Sequence, residues 1–286
     1  MAFPVLQDYL ARLSDPTRAA TSLWLDGKGQ AQGRFFNCTM TSAFQPVRDL
    51  ASGVALAYEG LARSVAPGDK GLSLWKLLDR AASDDESIEL DRLCRMLHAI
   101  NFFRQETTGD ADLYLNVHDR LLSAVSSNHG HAFMRILSAL GLPADRIVLQ
   151  LPAVGTGQGW LLGYVADNYR RNGFRLALNV SSLGEGLELL ERFKPAAMKV
   201  DARHLNDAAA LSQLLELAGK AGVALIFKRV ESQPVADMLA CASRAAAVPV
   251  HVQGYLFDLP RAIVGDPAIS EGSTRVDLQG QRLVLQ

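Results

Sequence analysis

Along most of the chain, short apolar runs of strand length alternate with longer stretches in which leucine and alanine return at helical spacing. Residues 4–13 predict a short amphipathic helix, with Val5, Leu6, Tyr9, Leu10 and Leu13 on one side. Two apolar runs, 22–25 and 34–36, flank the turn-rich Asp26-Gly27-Lys28-Gly29 and predict a β-hairpin. Strands are expected at 42–47 and 54–61. Helices over 84–106, about 127–140, 158–172, 184–193, 206–221 and 233–244 then alternate with strands at 113–117, 146–151, 174–180, 197–200, 223–227 and 248–252. After Pro260 the alternation stops. Ser270-Glu271-Gly272-Ser273 reads as a linker, and 274–278 with 282–285 around Gln279-Gly280 as a second hairpin.

Repeated strand–helix alternation predicts an α/β protein with a parallel sheet, and about eight strands suggest a closed (β/α)8 barrel. The expected organisation is a helix-and-hairpin extension over 1–39, a barrel domain over 40–262 and a hairpin extension over 263–286. In such barrels the C-terminal ends of the strands share one face, where ligand sites are built. Polar residues stand at those ends in one strand after another: Glu59, Asn116, Gln150, Asn179, Lys199, Lys228 and Gln253. Any one of them is an ordinary boundary residue; the series in register points to one shared mouth.

Composition narrows the function classes. The 286 residues are 49 % hydrophobic with net charge −1, enough for a large core. The charge leaves no electrostatic footprint for nucleic acid or an anionic membrane. No apolar run is long enough to span a bilayer, and the N-terminus has no signal-peptide pattern. Cys38, Cys94 and Cys241 are few and odd in number, which suits reduced thiols in a cytoplasm.

Several motifs together resemble the EAL-domain family, the bacterial cyclic di-GMP phosphodiesterases, over roughly residues 40–262. They are Phe44-Gln45-Pro46-Val47, Glu59-Gly60-Leu61-Ala62-Arg63 and Tyr114-Leu115-Asn116-Val117, then Arg175 to Asn179, Met198-Lys199-Val200-Asp201, Val230-Glu231 and Gln253-Gly254-Tyr255-Leu256-Phe257. Gly60 stands where the signature has alanine. The resemblance implies a modified TIM barrel whose first strand runs against the others. It also implies that Gln45 meets a guanine edge and Arg63 a phosphate, with Leu61, Gln253, Tyr255, Phe257 and Pro260 in the ligand-binding surface.

Active relatives hold two divalent cations on a carboxylate cluster, the two-metal arrangement for phosphodiester hydrolysis. By the resemblance, Glu59, Asn116 and Lys199 are kept here. Gln150, Asn179, Val180 and Lys228 replace carboxylates, the last of them the proposed general base; Ala153 replaces a further glutamate that steadies a loop. Five carboxylates and one lysine become one carboxylate and two lysines, so the local charge changes sign. A lysine at its ordinary pKa near 10.4 cannot abstract a proton. The expectation is a degenerate phosphodiesterase without catalytic residues or metal cofactor, with Glu59, Asn116, Gln150, Asn179, Lys199 and Lys228 forming a vestigial site. In place of metal, the Lys228 ammonium is expected to pair with Glu59, with Lys199 sharing the role.

Three functions follow. One is a receptor that binds cyclic di-GMP without metal; the alternative is a regulator that contacts a protein partner and has a vestigial pocket. Residual phosphodiesterase activity is a third. Family members commonly pair through the loop after the fifth strand, rewritten here as Ser181-Ser182-Leu183-Gly184, so any homodimer is expected to be altered. The remaining motifs carry less. Asn128-His129-Gly130-His131 lacks further metal ligands, and Gly155-Thr156-Gly157-Gln158-Gly159 lacks the Lys-Ser/Thr of a phosphate loop. His118 is expected near the cleft, and Ser83 with Glu86 predicts a capping box.

Overall fold

The computed structural model describes residues 3–14, 22–36, 38–65, 83–118, 129–153 and 159–265. The strands are β1 (Leu23–Leu25), β2 (Ala31–Phe35), β3 (Cys38–Asp49), β4 (Ala55–Ser64), β5 (Asp112–Asn116), β6 (Ile147–Leu151), β7 (Arg175–Val180), β8 (Ala197–Asp201), β9 (Ala224–Lys228) and β10 (Val250–Gln253). The helices are α1 (Pro4–Leu13), α2 (Asp84–Phe103), α3 (His129–Ala139), α4 (Gly159–Arg171), α5 (Leu183–Arg192), α6 (Ala208–Ala221) and α7 (Gln233–Ala246).

Strands β3 to β10 close into an eight-stranded barrel. β3 pairs antiparallel with both β4 and β10, while β4 to β10 pair parallel in sequence order. Closure leaves the barrel no open edge. The expected modified barrel with one reversed strand is therefore the observed fold. β3 and β4 run beyond the predicted 42–47 and 54–61, because their ladder continues past the rim to Met40 opposite Ser64. The polar Thr39 and Thr41 hide that extension from a hydrophobic pattern; backbone pairing supplies it.

The N-terminal hairpin is observed and is continuous with the barrel sheet through the β2–β3 pairing. A buried amide docks it onto α2. Asn101 Oδ1 accepts from Ala31 N at 2.7 Å, and its Nδ2 donates to Ala31 O at 2.8 Å. α2 begins with the predicted capping box: Glu86 N donates to Ser83 Oγ at 3.3 Å, and Ser83 N to Glu86 Oε2 at 2.8 Å. The C-terminal hairpin at 274–285, its linker and most of the 155–159 glycine run lie outside the described residues.

Side chains alternate inside and outside along each strand. Outward-facing Leu113, Leu115, Ile147, Leu149, Leu176 and Leu178 join the helices in the main core. Inside the barrel, Val47, Ala57, Tyr114, Val148, Ala177, Ala197 and Ile226, one from each of β3 to β9, form a separate apolar cluster. The three alanines leave room for the Tyr114 ring, and this layer floors the mouth above it.

Gly60 has a packing reason. It faces α2, and a methyl group there would stand 2.9 Å from His98 Cβ and Cγ. His98 is buried, with Nδ1 2.8 Å from Ser42 Oγ, and burial pushes its pKa down to about 3. Gly60→Ala is expected to lower unfolding stability by about 1–3 kcal/mol through overpacking, as read from urea titration. His98→Ala in the same chain should not restore it fully, because the clashing Cβ remains.

Candidate ligand site at the barrel mouth

Two residues above the apolar floor, every strand contributes a polar side chain. The ring is Gln45, Glu59, Asn116, Gln150, Asn179, Lys199, Lys228 and Gln253, one each from β3 to β10. On the parallel strands these are the positions 59, 116, 150, 179, 199, 228 and 253; on the reversed strand the matching position is 45, opposite 59 in the ladder. Alternation along each strand puts these eight on the lumen side, and the ladder also pairs Asn116 with Gln150, Asn179 with Lys199 and Lys228 with Gln253, while the strand tilt staggers the remaining neighbours by two residues.

Glu59 is the hub. Its Oε2 accepts from Lys199 Nζ at 2.7 Å and from Gln253 Nε2 at 2.8 Å, and its Oε1 accepts from Asn116 Nδ2 at 2.8 Å. Burial pushes the Glu59 carboxyl up, but the Lys199 ammonium, with the Asn116 and Gln253 amides, overrides it and holds the pKa at about 2. Lys199 is 1 % exposed, and its ammonium lies 5.7 Å above the Tyr114 ring centroid. Gln150 Nε2 donates to Asn116 Oδ1 at 3.3 Å, while Gln150 Oε1 is buried without a hydrogen-bond partner.

Lys228 does not pair with Glu59. Its Nζ donates to Asn179 Oδ1 at 2.7 Å, and among the described residues it has no carboxylate partner. The expected pairing is thus corrected: Lys199, entering from β8, reaches the carboxylate first and fills that oxygen. Asn179 in turn donates to Leu151 O at 3.0 Å. Burial pushes the Lys228 pKa down, and Lys199 adds to this by repulsion.

The residues expected around a nucleotide occupy two settings. Gln45 is buried and its amide is engaged at both ends. Nε2 donates to Asp258 O at 2.9 Å, and Oε1 accepts from Gln253 Nε2 at 3.3 Å. The segment that engages it is clamped, because Arg48 Nε and Nη2 reach the two Asp258 oxygens at 2.6 and 2.8 Å. The backbones of Phe44 and Arg261 also pair. Gly254 starts this segment, and a Cβ there would overlap the Val230 carbonyl. By contrast Tyr255 is 58 % exposed, and Leu61, Arg63, Phe257 and Pro260 are half-buried. Arg63 pairs with neither Glu59 nor Asp49; Nη1 donates to Ala62 O at 2.9 Å.

Groups beyond the predicted set complete the rim. Asp201, two residues above Lys199, accepts from Arg203 at 2.9 Å and from Arg229 at 2.8 Å, which hold its carboxyl well below the usual range against its burial. Arg229 follows β9 at φ 62°, an uncommon left-handed conformation for a non-glycine residue that swings its side chain toward Asp201. Beside the ring, a cavity of about 390 Å³ separates α2 from the ends of β4 and β5, and His118 lines it as expected near the cleft. Asp91 and Arg95 line it too. They form a buried ion pair, with the guanidinium 5.1 Å above the Phe133 ring. Two charges four apart on a mostly apolar helix face were the available signal for that pair. Among the described residues, no group of three His, Cys, Asp or Glu side chains is placed to hold a metal, and His129-Gly130-His131 opens α3.

The comparisons agree with this fold. A model of the EAL domain family matches residues 29–260, and the chain belongs to that family. No curated protein matches it. Among solved structures, Klebsiella pneumoniae BlrP1, described as a manganese and cyclic di-GMP complex, is 21 % identical with TM-score 0.63, covering 80 % of this chain and 58 % of that one. Bacillus subtilis YkuI, in complex with cyclic di-GMP and calcium, is 19 % identical with TM-score 0.65, covering 82 % and 58 %. A standalone EAL protein from Vibrio cholerae O395 in its cyclic di-GMP-bound form is 21 % identical with TM-score 0.63, covering 82 % and 99 %. The chain therefore spans little more than half the length of the first two. No helix among the described residues is long and apolar enough to cross a membrane.

Breaking the central pair from one side leaves a buried charge without its counterion. Lys199→Met or Glu59→Gln is expected to cost about 3–5 kcal/mol, and the double substitution far less than the sum. Because the Glu59 pKa is depressed from 4.5 to about 2, its stabilising contribution is present above pH 4.5 and lost as pH falls toward 2. Glu59→Gln should flatten the acid limb of the stability curve in that window, measured by denaturant unfolding against pH.

Proposed function

We propose that this chain is a catalytically inactive EAL domain in cyclic di-GMP signalling, acting as a receptor that takes the nucleotide without metal. One observation carries the proposal: the ring's single carboxylate, Glu59, is neutralised by an ammonium 2.7 Å away. Two hard dications need several charged oxygens. Both Glu59 oxygens already accept hydrogen bonds, and the unpartnered Gln150 Oε1 is a single neutral oxygen. Asp201, the nearest other carboxylate on these strands, is occupied by two arginines. These residues do not fit a pair of divalent cations. At the position that the family resemblance gives to the general base stands Lys228, whose Nζ donates to Asn179 Oδ1 and so presents a proton where a carboxylate would present a lone pair.

Receptor function is supported by the exposed Tyr255, by Arg63 without a carboxylate partner among the described residues, and by relatives of the same fold that were solved with cyclic di-GMP. The internally engaged Gln45 amide favours the second reading, a regulator that contacts a protein partner independently of nucleotide. Isothermal titration with cyclic di-GMP in EDTA, and again in magnesium, separates them. Saturable binding that EDTA leaves unchanged is expected, and no heat in either buffer would favour the partner-binding regulator. In magnesium or manganese the linear dinucleotide should not accumulate above blank. Steady turnover abolished by Glu59→Ala would overturn the inactive reading.

A further inference from the structure

The rim is cationic. Lys199, Lys228, Arg63, Arg203 and Arg229 are set against the carboxylates Glu59, Asp201 and Glu231, so five positive groups meet three negative ones. Two positive charges remain in excess, the magnitude that a cyclic dinucleotide carries on its two phosphodiesters. The cations without a carboxylate partner among the described residues, Arg63 and Lys228, stand on β4 and β9, three strands apart around the barrel. Lys228 is held in place by Asn179 and keeps ammonium protons beyond the one donated there.

Base recognition is placed differently. Sequence-specific readout needs donors and acceptors aimed at a base edge. Gln45, to which the family resemblance gives that task, is 8 % exposed and bonded at both ends of its amide. Releasing it would strand the Asp258 carbonyl, on a segment held by the Arg48–Asp258 pair. What the mouth offers a base is the exposed Tyr255 ring, and stacking on an aromatic face tolerates any base.

We propose that this mouth recognises cyclic dinucleotides through their two phosphodiesters, anchored by Lys228 and Arg63, and does not select guanine. The inference rests on the receptor reading above and deepens it. Full-length protein in EDTA is titrated with cyclic di-GMP and with cyclic di-AMP at about 50 and 200 mM salt. The two dissociation constants should agree within about 3-fold. Both should weaken by about 2-fold or more between the two salts, because salt screens the attraction between the phosphodiesters and the two cations. Lys228→Gln, which can still bond Asn179, should weaken both ligands by about 10-fold and reduce the salt effect; thermal unfolding checks that it is folded, and Lys228→Met is the second variant. Cyclic di-GMP binding that is 30-fold or more tighter than cyclic di-AMP overturns base indifference while leaving the receptor reading intact. Unchanged affinity in folded Lys228 variants overturns the anchor. Binding of neither ligand overturns the receptor reading and this inference together.

Discussion

The Glu59–Lys199 pair sets the conditions for the rest of the mouth. An ammonium that is 1 % exposed over a tyrosine ring, with alanine, valine and isoleucine beneath it, cannot be held charged without a counterion. A carboxylate partly shielded in the same lumen has the same requirement. Each makes the other tolerable, and their contact ties β4 to β8 across the barrel. Asn116 and Gln253 complete the carboxylate's acceptors, and Gln150 and Gln45 bond to those amides in turn. The ring is therefore a network with one ionic centre, and weakening that centre affects six strands.

That network also bears on the chemistry. Within the family resemblance, the ring positions that would carry charge for cations carry neutral amides or a second lysine here. The substitutions are mutually consistent. With Lys199 already on Glu59, a second ammonium at Lys228 finds the neutral Asn179 oxygen, and a carboxylate at 179 is not needed to hold it. The excess positive charge at the rim is the residue of this arrangement, and it is the feature on which the proposed metal-free receptor reading rests.

Much of the architecture is legible along the chain. Alternating strand-length and helical segments point to a barrel, and the period-two alternation of a strand explains why Glu59, Asn116, Gln150, Asn179, Lys199, Lys228 and Gln253 each face the lumen. The capping box of Ser83 and Glu86 is equally local, spanning four residues. These features depend on neighbours in sequence and can be read along the chain.

Tertiary structure decided which of those groups touch. Lys199 and Lys228 are alike in sequence, both lysines at strand ends, but β8 and β9 enter the lumen at different points of its circumference, so one reaches Glu59 and the other reaches Asn179. The closed amide of Gln45 depends on a carbonyl 213 residues away. The need for glycine at position 60 depends on the imidazole of His98 arriving from α2. Contacts across a barrel depend on strand order, tilt and side-chain reach, none of which is encoded in a local pattern, and it is these contacts that decide whether a carboxylate at the mouth is open to a cation or already satisfied.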